Sequence, residues 1–232
     1  LISAREFLNG KFRWCLWLED ISPKELRTMP TVMERVEKVR IFRESSPAVS
    51  TQKHALTPTL FRDRNRPNTF IVIPRVSSER RLYIPMGFFD RNYIVSDTCL
   101  SIPNGDLFLF GQLTSVMHMA WVKYTCGRLK SDYRYSKDLV YNNYPFPKNV
   151  SEKQKKAVEE KAQNVLNIRS QFSDCSLADL YDPLSMPPNL KKAHQELDKA
   201  VDNCYGSKLF KNDKERIEFL FGLYEEYLNT QK

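Results

Sequence analysis

The stretch YNNYPFPKN, residues 141–149, divides this 232-residue sequence into two parts of different character. Its two prolines and three asparagines disfavour regular structure, because proline lacks an amide hydrogen and asparagine favours turns. Before it lie short runs rich in aromatic and β-branched residues, and after it apolar residues recur at helical spacing. We therefore predict an α+β fold with two domains, residues 1–147 and residues 148–232.

Several runs in the first part have the composition of β-strands. They are TFIVIPRV (69–76), RLYIPM (81–86), NYIVSD (92–97), DLFLFGQL (106–113) and, near the amino terminus, RWCLWLED (13–20). Proline and glycine punctuate them, which predicts short strands of the antiparallel type. The run TSVMHMAWVKYTCG (114–127) is apolar almost all round and ends in glycine, so it predicts a buried helix in which His118 is a core residue. A further helix is predicted within residues 22–45.

The second part carries three apolar stripes, each of which predicts a helix. The stripes are Val158, Ala162, Val165 and Phe172; then Leu190, Ala193, Leu197, Val201 and Cys204; then Ile217, Leu220, Phe221, Tyr224 and Leu228. Ser151 and Gln154 form a capping box before the first stripe, and Asp213 is predicted to cap the third helix. A small antiparallel helical bundle would bury all three stripes.

The net charge of +8 lies entirely in the first part of the sequence. That part holds 22 Lys and Arg against 14 Asp and Glu, whereas the second part holds 14 of each. Fifteen of the 17 arginines precede residue 148. Arginine suits phosphate oxygens and guanine edges, so a basic domain with aromatic residues near its arginines indicates a polyanion binder. The alternatives are a basic surface that only confers solubility and a scaffold that binds RNA or acidic proteins without base readout.

No pattern for catalysis stands out. The seven glycines form no G-x-G and no phosphate loop, and YDPLSMPPNL (181–190) does not fit the motif that grips a flipped adenine. The three histidines lack metal-ligand spacing, and the five dispersed cysteines are predicted to be free thiols. We therefore predict no catalytic, cofactor-binding or metal site in this chain.

The sequence also bears on location. It has neither an apolar run long enough to cross a membrane nor the pattern of a signal peptide. We expect no membrane partner and a cytoplasmic location. A start without methionine is expected for a fragment of a longer protein, and processing of the chain would give the same start.

The stretch GRLKSDYRYS, residues 127–136, places Lys130, Asp132 and Arg134 at alternating positions. On a β-strand the three charges would project from one face, with Tyr133 and Tyr135 on the other. Such charges often serve solubility alone.

Four stretches resemble the carboxyl-terminal third of single-chain restriction and modification proteins of the MmeI type. They are VIPRVSSERRLYIPMGF (72–88), SDTCL (96–100), GQLTSVMHMAWVKYTCGRLKSDYRYSKDLVYNNYPFP (111–147) and SLADLYDPLSMPPNLKKAHQELDKAVDNCYG (176–206). In that family an endonuclease domain, a helical connector and an S-adenosylmethionine-dependent adenine-N6 methyltransferase precede a target recognition domain and a helical tail.

This resemblance, confined to the last two parts, implies a non-catalytic fragment. Its role would be to recognise duplex DNA and to position an adenine for the upstream methyltransferase domain. S-adenosylmethionine and Mg²⁺ are implied for the full-length enzyme and none for this fragment. The rival from the enzyme class is a nuclease or methyltransferase that acts unaided.

The resemblance also implies which side chains read bases, namely Lys130, Asp132, Arg134 and Thr98. A lysine can donate to guanine and an aspartate can accept from the paired cytosine, so Lys130 and Asp132 suit one G·C pair. The other interpretation of these two residues is a salt bridge on a solvated strand. Threonine is compatible with several bases, and Arg134 is equally suited to phosphate. Contacts to the DNA backbone are expected from Arg75, Arg80 and Arg81.

Overall fold

The computed structural model describes residues 1–206 and 210–230. Its α-helices are α1 (Ala4–Leu8), α2 (Pro23–Arg27), α3 (Pro30–Glu44), α4 (Val49–Lys53), α5 (Leu107–Leu113), α6 (Val116–Thr125), α7 (Glu152–Ser170), α8 (Leu177–Leu180), α9 (Pro188–Asp202) and α10 (Asp213–Thr230). Its strands are β1 (Thr69–Pro74), β2 (Val76–Ser77), β3 (Gly87–Asp90), β4 (Cys99–Pro103), β5 (Gly127–Leu129) and β6 (Asp132–Arg134). The predicted α+β class is confirmed.

The chain forms two compact units, Trp14–Arg66 and the described residues on either side of that segment. In the Trp14–Arg66 unit, α3 packs against α2 and α4. The Arg43 guanidinium ties α3 to the following loop by donating to the carbonyl oxygens of His54, Thr57 and Leu60 at 2.9–3.0 Å. The helix predicted within residues 22–45 is confirmed as α2 and α3, whereas residues 13–20 form no strand.

The larger unit contains two three-stranded antiparallel sheets, with strand orders β3-β1-β4 and β2-β6-β5. The strands β1 and β2 follow each other with only Arg75 between them, so one stretch of chain contributes to both sheets. The strand predicted at residues 69–76 is therefore confirmed, as the two consecutive strands β1 and β2.

Three other predicted strands in this region are wrong. DLFLFGQL forms α5, and the Asp106 side chain caps it by accepting from the Leu109 amide at 2.8 Å. A short apolar run is compatible with a buried helix as well as with a strand, and here the Asp106 cap favours the helix. Residues 81–86 are irregular although Tyr83, Ile84 and Met86 are buried. Residues 92–97 form no strand, and their β-type pairing is limited to a single bridge between Ile2 and Val95.

The helices after residue 147 were predicted correctly as helices. The capping box of Ser151 and Gln154 opens α7, and the stripe of α9 is buried as far as Cys204. The cap of α10 differs from the prediction, since the Glu215 amide donates to Asn212 Oδ1 at 3.0 Å and Asp213 is already helical.

One apolar cluster contains residues from both sides of position 147. The helix α7 packs on α9 and on α5, and α10 packs on α6, where Trp121 meets Phe221 and Tyr224. The tail helices thus bury their stripes partly against the mixed region. The domain boundary at residue 147 stays a prediction.

Candidate nucleic-acid interface

The stretch 127–136 is a β-hairpin and not a single strand. Leu129 pairs with Asp132, so Lys130 and Ser131 form a two-residue turn between β5 and β6. Lys130 has φ = 55°, a left-handed conformation that favours glycine or asparagine. The expectation that Lys130, Asp132 and Arg134 alternate along one strand is therefore wrong for Lys130, which lies at the exposed tip of the turn.

The alternation holds in β6 and in the residue that follows it. Tyr133 and Tyr135 are buried, with 4% and 1% of their surfaces exposed, whereas Arg134 points to solvent and Asp132 is partly exposed. Tyr135 shares a 2.8 Å hydrogen bond with Nε2 of His118 in the core. Burial raises the pKa of Tyr135 well above its usual value and lowers the pKa of His118 to about 3, so the pair is neutral. His118 is confirmed as a core residue, and the tyrosines hold the opposite face of β6 toward solvent.

Arg75 joins the hairpin to the other sheet. Its amide donates to the Thr98 carbonyl oxygen at 2.9 Å, and its own carbonyl accepts from the Tyr135 amide at 2.7 Å. Hydrogen-bonded chain segments lie about 5 Å apart, so Thr98 and Tyr135 flank Arg75 at that spacing. The backbone of Arg75 thus makes residues from three separated segments neighbours. We call Thr98, Arg75, Arg134, Asp132 and Lys130 the recognition strip, and their side chains are exposed or, for Asp132, partly exposed.

The hydroxyl of Thr98 is already engaged within the protein. It accepts from the Ala4 amide at 2.9 Å and shares a 2.8 Å hydrogen bond with the Ser96 hydroxyl. A hydroxyl has one hydrogen and two lone pairs, so one further hydrogen bond remains to it. The residue is exposed. The Thr98 methyl group is therefore as available for contact with a ligand as the hydroxyl oxygen is.

The loop after β2 carries the remaining predicted contacts. Its Glu79 amide donates to Asp132 Oδ1 at 3.3 Å, which brings the loop against the hairpin. Arg80 is exposed, whereas Arg81 is partly buried. Burial lowers the pKa of Arg81, and the charges of Asp182 and Asp132 oppose that change. Arg80 is thus free to reach a phosphate, and Arg81 lies in a more enclosed acidic setting.

The sequence analysis assigned no role to Arg128, a hairpin residue whose side chain contacts other residues of the same hairpin. Its guanidinium lies 4.2 Å from the centre of the Tyr133 ring and donates to the Ser131 carbonyl at 2.9 Å. The turn at Lys130 and Ser131 pairs residue 128 with residue 133, but Lys-Ser is not among the dipeptides that signal such a turn in a sequence. The strand interpretation placed Arg128 and Tyr133 far apart.

The described residues contain no group of three or more His, Cys, Asp or Glu side chains that could hold a metal ion. All five cysteines are free thiols, as predicted. Among residues 1–206 and 210–230, no helix is both long and apolar enough to cross a bilayer.

Comparison with known proteins assigns this arrangement to a family. Residues 1–148 match the family described as MmeI, target recognition domain, and residues 150–231 match that described as MmeI, C-terminal domain. The chain belongs to the MmeI family. It consists of the family's target recognition domain and C-terminal domain, which confirms the resemblance noted from the four sequence stretches.

Two relatives of this MmeI-type module are close in sequence. A DNA methyltransferase A of Bacillus subtilis (strain 168) is 42% identical over 226 residues, which are 97% of this chain and 26% of that protein. A chain in the structure of the type IIL restriction-modification enzyme MmeI in complex with DNA superposes with a TM-score of 0.94 at 45% identity, over 98% of this chain and 30% of that one. The chain thus spans between a quarter and a third of each relative.

Proposed function

We propose that this MmeI-type module binds duplex DNA, reads base pairs through the recognition strip and positions an adenine for a methyltransferase domain of the same polypeptide. One observation carries the proposal. Through backbone hydrogen bonds, Arg75 has Thr98 on one side and the hairpin on the other, and the side chains of Arg75, Thr98, Arg134 and Lys130 are all exposed. The solved relative that covers nearly the whole chain is a DNA complex, which supports duplex DNA as the ligand.

The polar atoms of the hairpin suit one G·C pair. Lys130 at the tip has three donors for guanine O6 and N7, and Asp132 has an acceptor for the cytosine amino group. Asp132 Oδ1 already accepts from the Glu79 amide, so Oδ2 is the oxygen left for the base. The carboxylate is thereby oriented before DNA arrives.

The other two strip residues suit different contacts. Arg134 is exposed on the outer face of β6, where a guanidinium can pair with guanine or with phosphate. Because the Thr98 hydroxyl is largely engaged, we assign its methyl group to the methyl of a thymine and its remaining hydrogen bond to a base edge or water.

Phosphate contacts fall to Arg75 and Arg80, which are both exposed. Arginine binds phosphate oxygens through its planar set of donors, and such contacts set orientation and register without reading sequence. We assign Arg81 a supporting role next to Asp132 and Asp182 instead.

In this proposal, other domains of the intact protein carry out catalysis. S-adenosylmethionine and Mg²⁺ would bind to methyltransferase and endonuclease domains outside this chain, and the whole protein would act on cytoplasmic DNA. The family match to recognition and carboxyl-terminal domains supports this division of labour.

Competition binding tests the proposal against the RNA or acidic-scaffold alternative. A labelled duplex selected from a randomised library is bound to the chain at fixed salt, then challenged with unselected duplex, with RNA duplex of the same sequence and with a polyglutamate peptide. We expect the selected DNA to compete best. If RNA or the acidic peptide displaces the selected duplex as well as DNA does, the chain is a basic scaffold and the proposed function is wrong.

A further inference from the structure

Arg128 and Glu79 lie beside the recognition strip, and each contacts the part of the hairpin that carries a base-reading side chain. Arg128 is the middle residue of β5, and Glu79 is in the loop after β2. Their side chains approach to 3.6 Å between Arg128 Nη1 and Glu79 Oε2. An isolated exposed ion pair of this kind contributes little. The pair matters here because both partners make further contacts.

The Arg128 guanidinium has three partners at once. It lies over the Tyr133 ring, it donates to the Ser131 carbonyl, and it faces the Glu79 carboxylate. Ser131 follows Lys130 in the turn, so the contact to its carbonyl constrains the Ser131–Asp132 peptide, which lies between the two base-reading residues. The planar guanidinium suits simultaneous stacking and hydrogen bonding better than an ammonium does.

Glu79 provides the matching constraint on the other base-reading residue. Its amide donates to Asp132 Oδ1, while its side chain pairs with Arg128. Glu79 thus links the loop after β2 to the hairpin at two points, Asp132 and Arg128.

The turn needs such a constraint. The left-handed φ of 55° at Lys130 costs free energy for a residue with a side chain, so surrounding contacts must maintain it. Hydrogen bonds discriminate between bases only when donor and acceptor are held close to the productive geometry.

We propose that Arg128 and Glu79 are positioning residues of the recognition hairpin, which hold Lys130 and Asp132 in the orientation that discriminates one base pair. They act through the hairpin and do not contact DNA. This inference rests on the proposed function, since it assigns the two residues to the readout carried by Lys130 and Asp132.

Selection from a library of duplexes with a randomised central segment tests the inference. The proteins are the unaltered chain, Glu79→Gln, Arg128→Gln and the double variant. Glu218→Gln is the matched control, because Glu218 forms an exposed pair with Lys214 at 3.8 Å on α10 and loses the same charge. Each single variant should lower the preference at one base pair about fivefold, as expected for a loss of roughly 1 kcal/mol. The double variant should lose no more than either single variant, and the control should keep the preference.

A direct phosphate contact by Arg128 predicts another pattern. Arg128→Gln would then weaken binding to all sequences equally, Glu79→Gln would strengthen it, and the base preference would not change. That result overturns the inference while leaving DNA binding intact. If the unaltered chain enriches no sequence at all, the proposed function fails and the inference fails with it.

A charge-conserving variant separates positioning from charge and from misfolding. Arg128→Lys keeps the positive charge but loses the flat stacking on Tyr133. We expect affinity for unselected duplex within about twofold of the unaltered chain and a clear loss of base preference. An unchanged thermal unfolding curve should accompany this loss. Full retention of the preference in Arg128→Lys contradicts the positioning role.

Discussion

Lys130 and Asp132 occupy different backbone settings, one at the tip of a turn and one at the start of β6. If the lysine contacts guanine and the aspartate contacts the paired cytosine, as proposed, their positions fix which DNA strand carries the guanine. Exchanging the charges should therefore move the guanine to the other strand. The double change Lys130→Glu with Asp132→Arg should shift the preferred pair from G·C to C·G at one position, because each side chain now suits the other base.

Either single change should behave differently from the double change. It leaves two like charges facing unlike bases, so binding should fall without a new preference, by roughly 1 to 3 kcal/mol per bidentate contact. Selection from a randomised duplex library measures both outcomes. If the double variant enriches the original sequence with uniformly lower affinity, Lys130 and Asp132 contact phosphates and do not read a base pair.

Asp198 on α9 gives a second prediction at the scale of a residue. It accepts from the Tyr83 hydroxyl at 2.7 Å and from the Val116 amide at 2.8 Å, and burial raises its pKa to about 7. Between the unfolded pKa near 4 and the folded value, the unfolded state binds fewer protons, so this group's contribution to stability falls as pH rises. The contribution is fully present below pH 4 and lost by about pH 7.

Asp198→Asn isolates this effect, since asparagine resembles the protonated acid. The free energy of unfolding of the unaltered chain, minus that of the variant, should fall by on the order of a few kcal/mol between pH 4.5 and pH 7.5. His118 and His194, whose pKa values are lowered to about 3 by burial, have the opposite pH dependence but cancel in the difference. Urea unfolding at the two pH values measures it. A difference that does not change with pH would mean that Asp198 stays ionised in the folded chain.

At the scale of elements, α5 and α7 approach closely because Gly111 has no side chain. A methyl group at Gly111 would lie 2.6 Å from Val158 Cγ1 and 3.3 Å from Leu197 Cδ1. Gly111→Ala should therefore destabilise the chain by about 1 to 2 kcal/mol, since overpacking outweighs the gain in helix propensity.

Gly222 on α10 is the matched control for Gly111. Nothing lies within 4 Å of a methyl group built on it, so Gly222→Ala should stabilise the chain by about 0.5 to 1 kcal/mol. Denaturant unfolding compares the two variants. Stabilisation by both would show that α5 and α7 can separate to admit a methyl group.

The helices α5 and α7 show which features the sequence predicts and which it does not. Ser151 and Gln154 predicted the start of α7 correctly, because a capping box is local chemistry that packing does not override. Residues 106–113 were assigned to a strand, because an apolar run fits either structure and its burial against Val158 is invisible in the sequence. Similarly, the turn at Lys130 was missed because a left-handed lysine carries no sequence signal. The proposal that Lys130, Asp132, Arg134 and Thr98 read bases came from family resemblance, whereas the proximity of Thr98 to the hairpin became visible only through the backbone hydrogen bonds of Arg75.

At the scale of the whole molecule, the excess positive charge should make DNA binding strongly dependent on salt. Binding that neutralises phosphates releases counterions, at about 0.9 logarithmic units of affinity per phosphate and per logarithmic unit of salt. Arg75→Ala and Arg80→Ala should each reduce this slope by about 1 and leave the preferred sequence unchanged. Lys214→Ala, at an exposed position on α10, is the control that should keep the slope.

The result for Arg81 should differ from those for its two neighbours. Arg81 is partly buried near Asp182 and Asp132, so Arg81→Ala should lower thermal stability more than it lowers the salt slope. Titration of binding against salt, with unselected duplex, measures the slopes. Slope losses for Arg75→Ala and Arg80→Ala that equal the loss for Lys214→Ala would contradict the assignment of phosphate contacts to particular arginines.

Hydrogen exchange with and without bound DNA tests the central claim most directly, since it locates the interface on the chain itself. The chain is compared free, with a duplex selected from the library, and with RNA duplex of the same sequence. We predict that selected DNA slows amide exchange in residues 75–81, 96–99 and 127–135, and that RNA at the same concentration does not. Protection confined to α7, α9 and α10, or equal protection by RNA, would contradict the account that the recognition strip reads DNA.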